Sequence, residues 1–433
     1  LRPSWHTVSV VVNAAGAPRA IRIPVYRLKV LKGPDRRKQK RMALQRALIG
    51  SGEGADFQIT DPTVSAAHCE ILSDERGFRV RDLGAKNGVV LGGRRVEGGW
   101  LLARDEISLG STVIQFKLAA EDEEKALGKR TSFGRLRGSS VRMRELFGQL
   151  EKAAGTDVTV LLTGETGTGK ELAAESLVFT GPRKARPFVV VDCARLPPTL
   201  AESELFGHEK YAFTGAVSEH LGAFERAHGG TVFLDEVGEL SRELQPKLLG
   251  VLERREIQRI GGARPIPVDI RVIAATHRQL EREVNRGTFR ADLYYRLAVT
   301  EIRMPPLSER REDIPDLVAH FLEEIPGARP PPSAVLQALH DGDYPGNVRQ
   351  LRNAVERAAA GLDLQVAQRS ATDLEIETPY RVQKEGVIRA FDRAYLTKLL
   401  DVCEGNVSEA SRRSGINRVH FYDMMHRAGL GNG

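Results

Sequence analysis

Residues Val158 to Glu171 read Val-Thr-Val-Leu-Leu-Thr-Gly-Glu-Thr-Gly-Thr-Gly-Lys-Glu. A short apolar run that feeds a glycine-rich turn and then a helix-favouring segment is the layout of a phosphate-binding loop. Small residues let the backbone of Gly164, Glu165, Thr166, Gly167, Thr168 and Gly169 curl until successive N–H groups face phosphate oxygens. The N-terminus of the following helix adds partial positive charge, and Lys170 reaches the outer phosphates. The generic pattern closes on Lys-Ser/Thr; here Glu171 follows the lysine, so the hydroxyl that usually holds magnesium is supplied differently or by water. The expectation is a nucleoside triphosphate site.

Downstream, Thr231-Val232-Phe233-Leu234 runs into Asp235-Glu236. An apolar strand delivering two acids at its carboxyl end fits division of labour: Asp235 to hold a metal, Glu236 to polarise water. Around these segments, apolar strands alternate with amphipathic helices to about Pro306, the pattern of a parallel sheet with helical crossovers. From Val25 to Leu118 the pattern changes to short alternating runs separated by Gly, Asp and Asn, which predicts an all-β sandwich. The charged stretch Ala119 to Arg130 reads as a linker, and the basic run Arg36 to Arg41 as a solvated hairpin loop.

The length of 433 residues fits about three domains. Hydrophobic content of 41% and charged content of 28% are ordinary for globular protein, and no apolar run approaches the ~20 residues that span a bilayer. No signal-peptide pattern follows Leu1, and Cys69, Cys193 and Cys403 lack metal-ligand spacing, so a cytoplasmic protein without membrane partners is expected. A net charge of +7 permits a nucleic-acid partner without requiring one.

Glu204 to Ala216 read Glu-Leu-Phe-Gly-His-Glu-Lys-Tyr-Ala-Phe-Thr-Gly-Ala, which resembles the signature loop of sigma-54-dependent transcriptional activators. The similarity extends from about Gly134 to Gly361 and implies a central AAA+ ATPase using ATP and Mg2+. It implies that Phe213, Thr214 and Gly215 form a protruding loop that engages the sigma factor, with the metal at Asp235. It implies further that Thr276 is the first sensor, that Arg290 and Arg296 are arginine fingers, and that Arg349, in Tyr-Pro-Gly-Asn-Val-Arg-Gln-Leu, is the second sensor. A guanidinium from a neighbouring subunit stabilises spreading phosphate charge, so fingers imply a homo-oligomer, expected as a hexamer.

Three positions depart from the family pattern. Tyr211 replaces the first glycine of the loop, His277 replaces the Asn after the sensor threonine, and Asp192 replaces an Asn that restrains the catalytic glutamate. Two carboxylates about 4 Å apart repel by about 4 kcal/mol at an effective dielectric near 20, so Asp192 and Glu236 cannot make that contact while both are ionised. Asp192 is therefore expected to loosen the switch and alter basal turnover.

The N-terminal region resembles a forkhead-associated (FHA) domain through Gly50, Ser65, His68, Asn87 and Gly88, which implies phosphothreonine binding by Ser65 and Asn87 with His68 bracing the loop. Ser51 stands where that family carries its phosphate-gripping arginine, and Lys86 is the substitute cation. Phosphate-independent docking is the other reading. At the far end, Gly405 to Asn417 precede the helix-like run Arg418 to Arg427, a Fis-type helix-turn-helix candidate with Asn406 and Asn417 as caps. Arg418, His420 and Tyr422 would meet base edges, with Arg412 and Arg413 on phosphates.

The expected fold is multidomain: an extension at 1–24, an all-β FHA sandwich at 25–119, a linker at 120–133, an α/β P-loop subdomain at 134–306, a helical lid at 307–366, a linker at 367–384 and an all-α helix-turn-helix at 385–433. The expected partners are sigma-54 RNA polymerase holoenzyme, enhancer DNA and a phosphothreonine protein or kinase. Two other functions fit the nucleotide residues: a non-transcriptional AAA+ remodeller, and a catalytically weak nucleotide-binding DNA scaffold.

Overall fold

The computed structural model describes residues 7–13, 16–197, 199–327 and 331–362, and beyond them 392, 395–396, 399–400, 403, 406–416, 421 and 424–425. The chain divides into two compact units, residues 1–332 with 344–364 and residues 333–343 with 365–433.

The first unit opens with two packed sheets. One orders the strands Ser9–Val12, Pro18–Lys32, Thr112–Ala126, Glu106–Leu109, Val89–Leu91 and Arg94–Val96, with Gln39–Met42 also on Pro18–Lys32. The other orders Gly98–Leu101, Gly77–Asp82, Cys69–Asp74, Arg46–Gly50 and Phe57–Gln58. Alternate residues face inward, and Tyr26, Phe78 and Phe116 meet at the centre with ring centroids 5.1 to 5.4 Å apart.

Strand pairing overruns both expected borders of the sandwich, at 24 and at 119. Thr112–Ala126 continues through the supposed linker and pairs Asp122 with Pro24 through to Ala126 with Ala20. Its charged residues imitate a loop because they are exposed and held by ion pairs, such as Arg22 to Glu124 at 3.0 Å, while the partner strand supplies the buried Ile21 and Ile23.

A five-stranded parallel sheet follows, ordered Phe188–Asp192, Thr231–Asp235, Arg271–Thr276, Val160–Thr163 and Thr300–Arg303. Val160, Leu161 and Leu162 are fully buried because helices cover both faces. The register pairs Asp192 with Asp235 and Thr163 with Thr276, which gathers the chemistry at one carboxyl edge. The helix Val141–Ala154 starts on Ser140, and the buried Asp313 accepts from the Ser139 and Ser140 amides at 2.7 Å each, tying that start to the helix Ile314–Glu324. The helix Asn347–Ala359 packs in the same unit. Within the expected lid at 307–366, residues 333–343 group with the second unit.

In the second unit the helix Val407–Ser414 begins with the Asn406 Oδ1 accepting the Glu409 amide at 3.1 Å. Leu396, Cys403, Ala410, Phe421 and Met425 form its small core, and Arg412 and Arg413 lie on the helix. Asn417, Arg418, His420 and Tyr422 lie outside the described residues. Among the described residues no helix is long and apolar enough to cross a membrane.

The buried Asp61 fixes one end of the sandwich. Its carboxylate accepts the Thr63 amide at 2.8 Å, the Thr63 hydroxyl at 2.7 Å and the Thr112 hydroxyl at 2.7 Å, and also the hydroxyl of Ser111. Burial opposes ionisation, yet these donors hold its pKa well below the carboxylate range. A depressed folded pKa means the stabilisation is fully present above the unfolded value and is lost as pH falls from there through the folded value. Asp61→Ala is expected to cost about 3 kcal/mol at pH 7. The gap from the parent should narrow below about pH 4, as read by denaturant unfolding across pH.

Candidate nucleotide site and protruding loop

The strand Val160–Thr163 ends in a loop whose Gly164, Gly167 and Gly169 all have positive φ, and Gly169 leads into the helix Lys170–Thr180. The Thr168 hydroxyl donates to the Glu165 carbonyl at 2.8 Å and stiffens the curl. The Lys170 ammonium donates to the carbonyls of Gly164 at 2.9 Å and Glu165 at 3.2 Å, and lies 3.8 Å from Glu236. Burial pulls the Lys170 pKa down from its ordinary value, against the pull of Glu236 and Asp235. Burial, then the charge of Glu236, holds the Asp235 carboxyl above its usual range. A partly desolvated acid pair beside one buried lysine is a site short of positive charge, which suits a divalent cation with a polyphosphate.

Glu236 has φ 49°, a backbone region uncommon outside glycine, which turns its side chain toward the Arg271–Thr276 strand. Its Oε2 is 2.7 Å from the His277 Nδ1 and accepts the His277 amide at 3.1 Å. Asp192 faces another way: it accepts the Ala194 amide at 3.0 Å and pairs with Arg195 at 3.0 Å. Thr276 is buried, its carbonyl accepting the Gly164 amide at 3.3 Å and its hydroxyl the Arg278 amide at 3.0 Å. The Arg349 amide donates to Gly167 at 3.3 Å, so the helix Asn347–Ala359 touches the loop directly.

The structure thus brings together Gly164 to Lys170, Asp235, Glu236, Thr276 and Arg349. It places Arg290 and Arg296 elsewhere, on the helix Ala291–Leu297 and its cap. Arg290 forks onto Asp292 at 2.7 and 3.0 Å, and Arg296 donates to the Leu252 carbonyl at 3.3 Å.

The Phe213 segment is a surface loop. Phe213 is 40% and Tyr211 75% exposed, with Thr214 and Gly215 also in solvent. The loop closes through the Tyr211 amide to Ala216 at 2.7 Å, and the Phe213 ring lies edge-on to His208 with centroids 5.0 Å apart. Tyr211 has φ 67°, which glycine adopts freely and which costs a tyrosine about 1 kcal/mol or more. Arg259 anchors the base by pairing with Glu209 at 3.1 Å, Glu219 at 3.3 Å and Glu225 at 2.6 Å.

The Sigma-54 interaction domain family matches residues 136–303, the AAA+ ATPase lid domain 308–384, and the cytoplasmic domain of an inner membrane component of T3SS 29–121. A Nif-specific regulatory protein of Herbaspirillum seropedicae is 49% identical over 266 residues, 58% of this chain and 49% of that protein. The transcriptional regulatory protein ZraR of Salmonella typhimurium is 44% identical over 293 residues, 65% of this chain and 66% of that protein. NtrX from Brucella abortus, solved in complex with ADP, is 33% identical with a TM-score of 0.51, covering 68% of this chain and 70% of that one. The chain belongs to the NtrC family of sigma-54-dependent enhancer-binding regulators. It spans about half to two thirds of the length of these curated relatives, 49% and 66%.

Two residues of this NtrC-family chain carry contacts at the site that the motif reading left unassigned. Asn347, 1% exposed and at φ 55°, donates to the Glu165 carboxylate at 2.9 Å and the Thr166 carbonyl at 3.1 Å, and accepts the Leu307 amide at 2.7 Å. The buried Arg310 donates to the Thr168 carbonyl at 3.1 Å, and burial brings its pKa down to about 10. An Asn after Pro-Gly at a helix start was the available signal for the first, because Asn tolerates positive φ; the second carried none. Asn347→Ala is expected to lower stability by about 3 kcal/mol, from an orphaned buried amide and a strained backbone, and to weaken nucleotide binding. Thermal unfolding with and without ADP checks both.

Proposed function

We propose that this chain is an ATP-driven activator of sigma-54 RNA polymerase holoenzyme. In this reading Lys170 and the amides of the 164–169 loop bind the phosphates, with Arg349 sensing the nucleotide from the lid side. Asp235 holds Mg2+, which when bound neutralises phosphate charge. Glu236 orients the attacking water, and Thr276 positions the edge of the Arg271–Thr276 strand. Arg290 and Arg296 serve a neighbouring protomer, which requires a ring, proposed as a hexamer. Movement of the Phe213-Thr214-Gly215 loop then remodels the closed promoter complex. The sandwich acts as an FHA-type input using Ser65, Lys86 and Asn87, and the C-terminal helices grip enhancer DNA through Arg412, Arg413, Arg418, His420 and Tyr422.

The observation that carries this reading is the exposed Phe213 tip, on a loop braced by Arg259, in the same unit as the nucleotide loop. A remodeller of other substrates has no use for that segment. Transcription from a sigma-54 promoter with purified components should yield open complexes with ATP and none with a non-hydrolysable analogue. Equal yields with both would exclude the motor reading.

Restraint of Glu236 falls to His277 rather than to position 192, since the 2.7 Å contact comes from the histidine. A single hydrogen bond is worth about 1 kcal/mol, a factor of about five in a population. His277→Ala should therefore raise basal phosphate release about fivefold without altering ATP affinity. Asp192→Asn should lower it by offering a second restraint. Unchanged turnover in His277→Ala would remove the histidine from the switch.

A further inference from the structure

The sandwich turns its loop end onto the helix that carries the finger arginines. Tyr295 of the helix Ala291–Leu297 reaches the loops following Gly50, where its hydroxyl donates to the Ala66 carbonyl at 3.0 Å. Its ring lies against two glycines. A Cβ on Gly52 would stand 1.7 Å from the Tyr295 oxygen, and one on Gly54 would stand 2.3 Å from its ring. These positions admit the ring only because they lack side chains. On the neighbouring helix Leu280–Arg286, Asn285 donates to the carbonyls of Ala67 at 2.6 Å and Leu83 at 2.9 Å.

A second tie is ionic. Arg46, on the sandwich strand Arg46–Gly50, donates to Glu70 at 2.6 Å within its own sheet and to Glu301 at 2.8 Å across the interface, and also pairs with Glu281. Glu301 in turn accepts the Thr163 hydroxyl at 3.1 Å, one residue before Gly164. Glu70 and Glu281 are buried, so separation of the two parts would strand charges that are now compensated.

The segment gripped by Tyr295 adjoins the one expected to receive a phosphothreonine. Ala66 follows Ser65, whose hydroxyl accepts the Lys86 amide at 3.2 Å, while the Ser51 amide donates to the Ser65 carbonyl at 2.9 Å. Asn87 donates to the Thr63 carbonyl at 2.7 Å. Tyr295 thus touches Gly52, Gly54 and Ala66 in these same loops.

We propose that the loop end of the sandwich is a latch for the finger helix: Tyr295 occupies the loops that a phosphorylated threonine segment takes, so sensor ligand and finger helix exclude one another. The latch rests on the assignment of Arg290 and Arg296 as fingers and of the Ser65 and Asn87 loops as the phosphothreonine site. In the latched state Arg296 is turned to its own protomer's Leu252 carbonyl, at 3.3 Å. Release frees the helix to present its arginines to a neighbour, so ligand binding activates.

The test uses the full chain as parent, Gly52→Ala, Tyr295→Ala and the double variant. Gly52 lacks positive φ and the atoms closest to its added Cβ all belong to Tyr295, so Gly52→Ala should disturb the docking and leave the sandwich folded. Amide hydrogen exchange over 291–297 should rise at least tenfold in Gly52→Ala, with basal phosphate release up at least threefold. Adding Gly52→Ala to Tyr295→Ala should change neither quantity further. Parental values in Gly52→Ala, or its full effect persisting without Tyr295, would overturn the latch.

A degenerate phosphothreonine peptide library forms the second arm. It should raise exchange over 291–297 in the parent and bind Tyr295→Ala at least threefold tighter, with the unphosphorylated library inactive. Equal affinity for parent and Tyr295→Ala would overturn the competition. If no phosphopeptide binds any variant while Gly52→Ala still loosens the helix, the latch stands and the phosphothreonine assignment falls.

Discussion

Lys170 lies buried with its ammonium on the carbonyls of Gly164 and Glu165 and 3.8 Å from Glu236. Desolvation of one cation is tolerable there because two carboxylates stand at the end of the strand Thr231–Asp235, and desolvation of those acids is eased by the lysine. The parallel sheet makes the meeting possible, since parallel strands deliver all their carboxyl ends to one edge. The remaining features attach to that edge: Asn347 clips the lid helix to the loop, Arg310 supports it from beneath, and His277 holds Glu236 aside.

What was legible in the sequence is what chemistry writes locally. The glycine run after an apolar strand and the Asp-Glu pair after another each carry their meaning within a few residues, and the structure places both at the same edge. The strand through 121–126 was hidden because exposure on both sides removed the alternation that marks a half-buried strand. Arg259, Arg310 and Tyr295 were unreadable for another reason. Their partners lie far along the chain, and no spacing announces such a pairing in a single sequence. The departure at His277 was visible as a substitution, but its contact with Glu236 arises only where the fold sets two strand ends side by side.

Two of the three departures from the family pattern bear on the same glutamate. Asp192 cannot approach Glu236 as an anion, and the structure turns it to Arg195, while His277 supplies the contact from the next strand. Tyr211 holds a positive φ that the family's glycine would adopt without strain, and the loop around it is steadied by three carboxylates on Arg259. His277 meets Glu236 and Arg259 braces the Tyr211 loop from other elements, whereas Asp192 is held within its own turn by Ala194 and Arg195.

On the function proposed, one protomer's arginine completes the site holding another protomer's Glu236. Subunit mixing tests it most directly: Glu236→Gln and Arg290→Ala chains are each assayed alone, then combined at equal concentration. The expected result is two preparations that release almost no phosphate and a mixture that recovers a substantial fraction of parental activity, because intact acid and intact finger meet across mixed interfaces. A mixture as inert as its components, or full activity in Arg290→Ala alone, would contradict it.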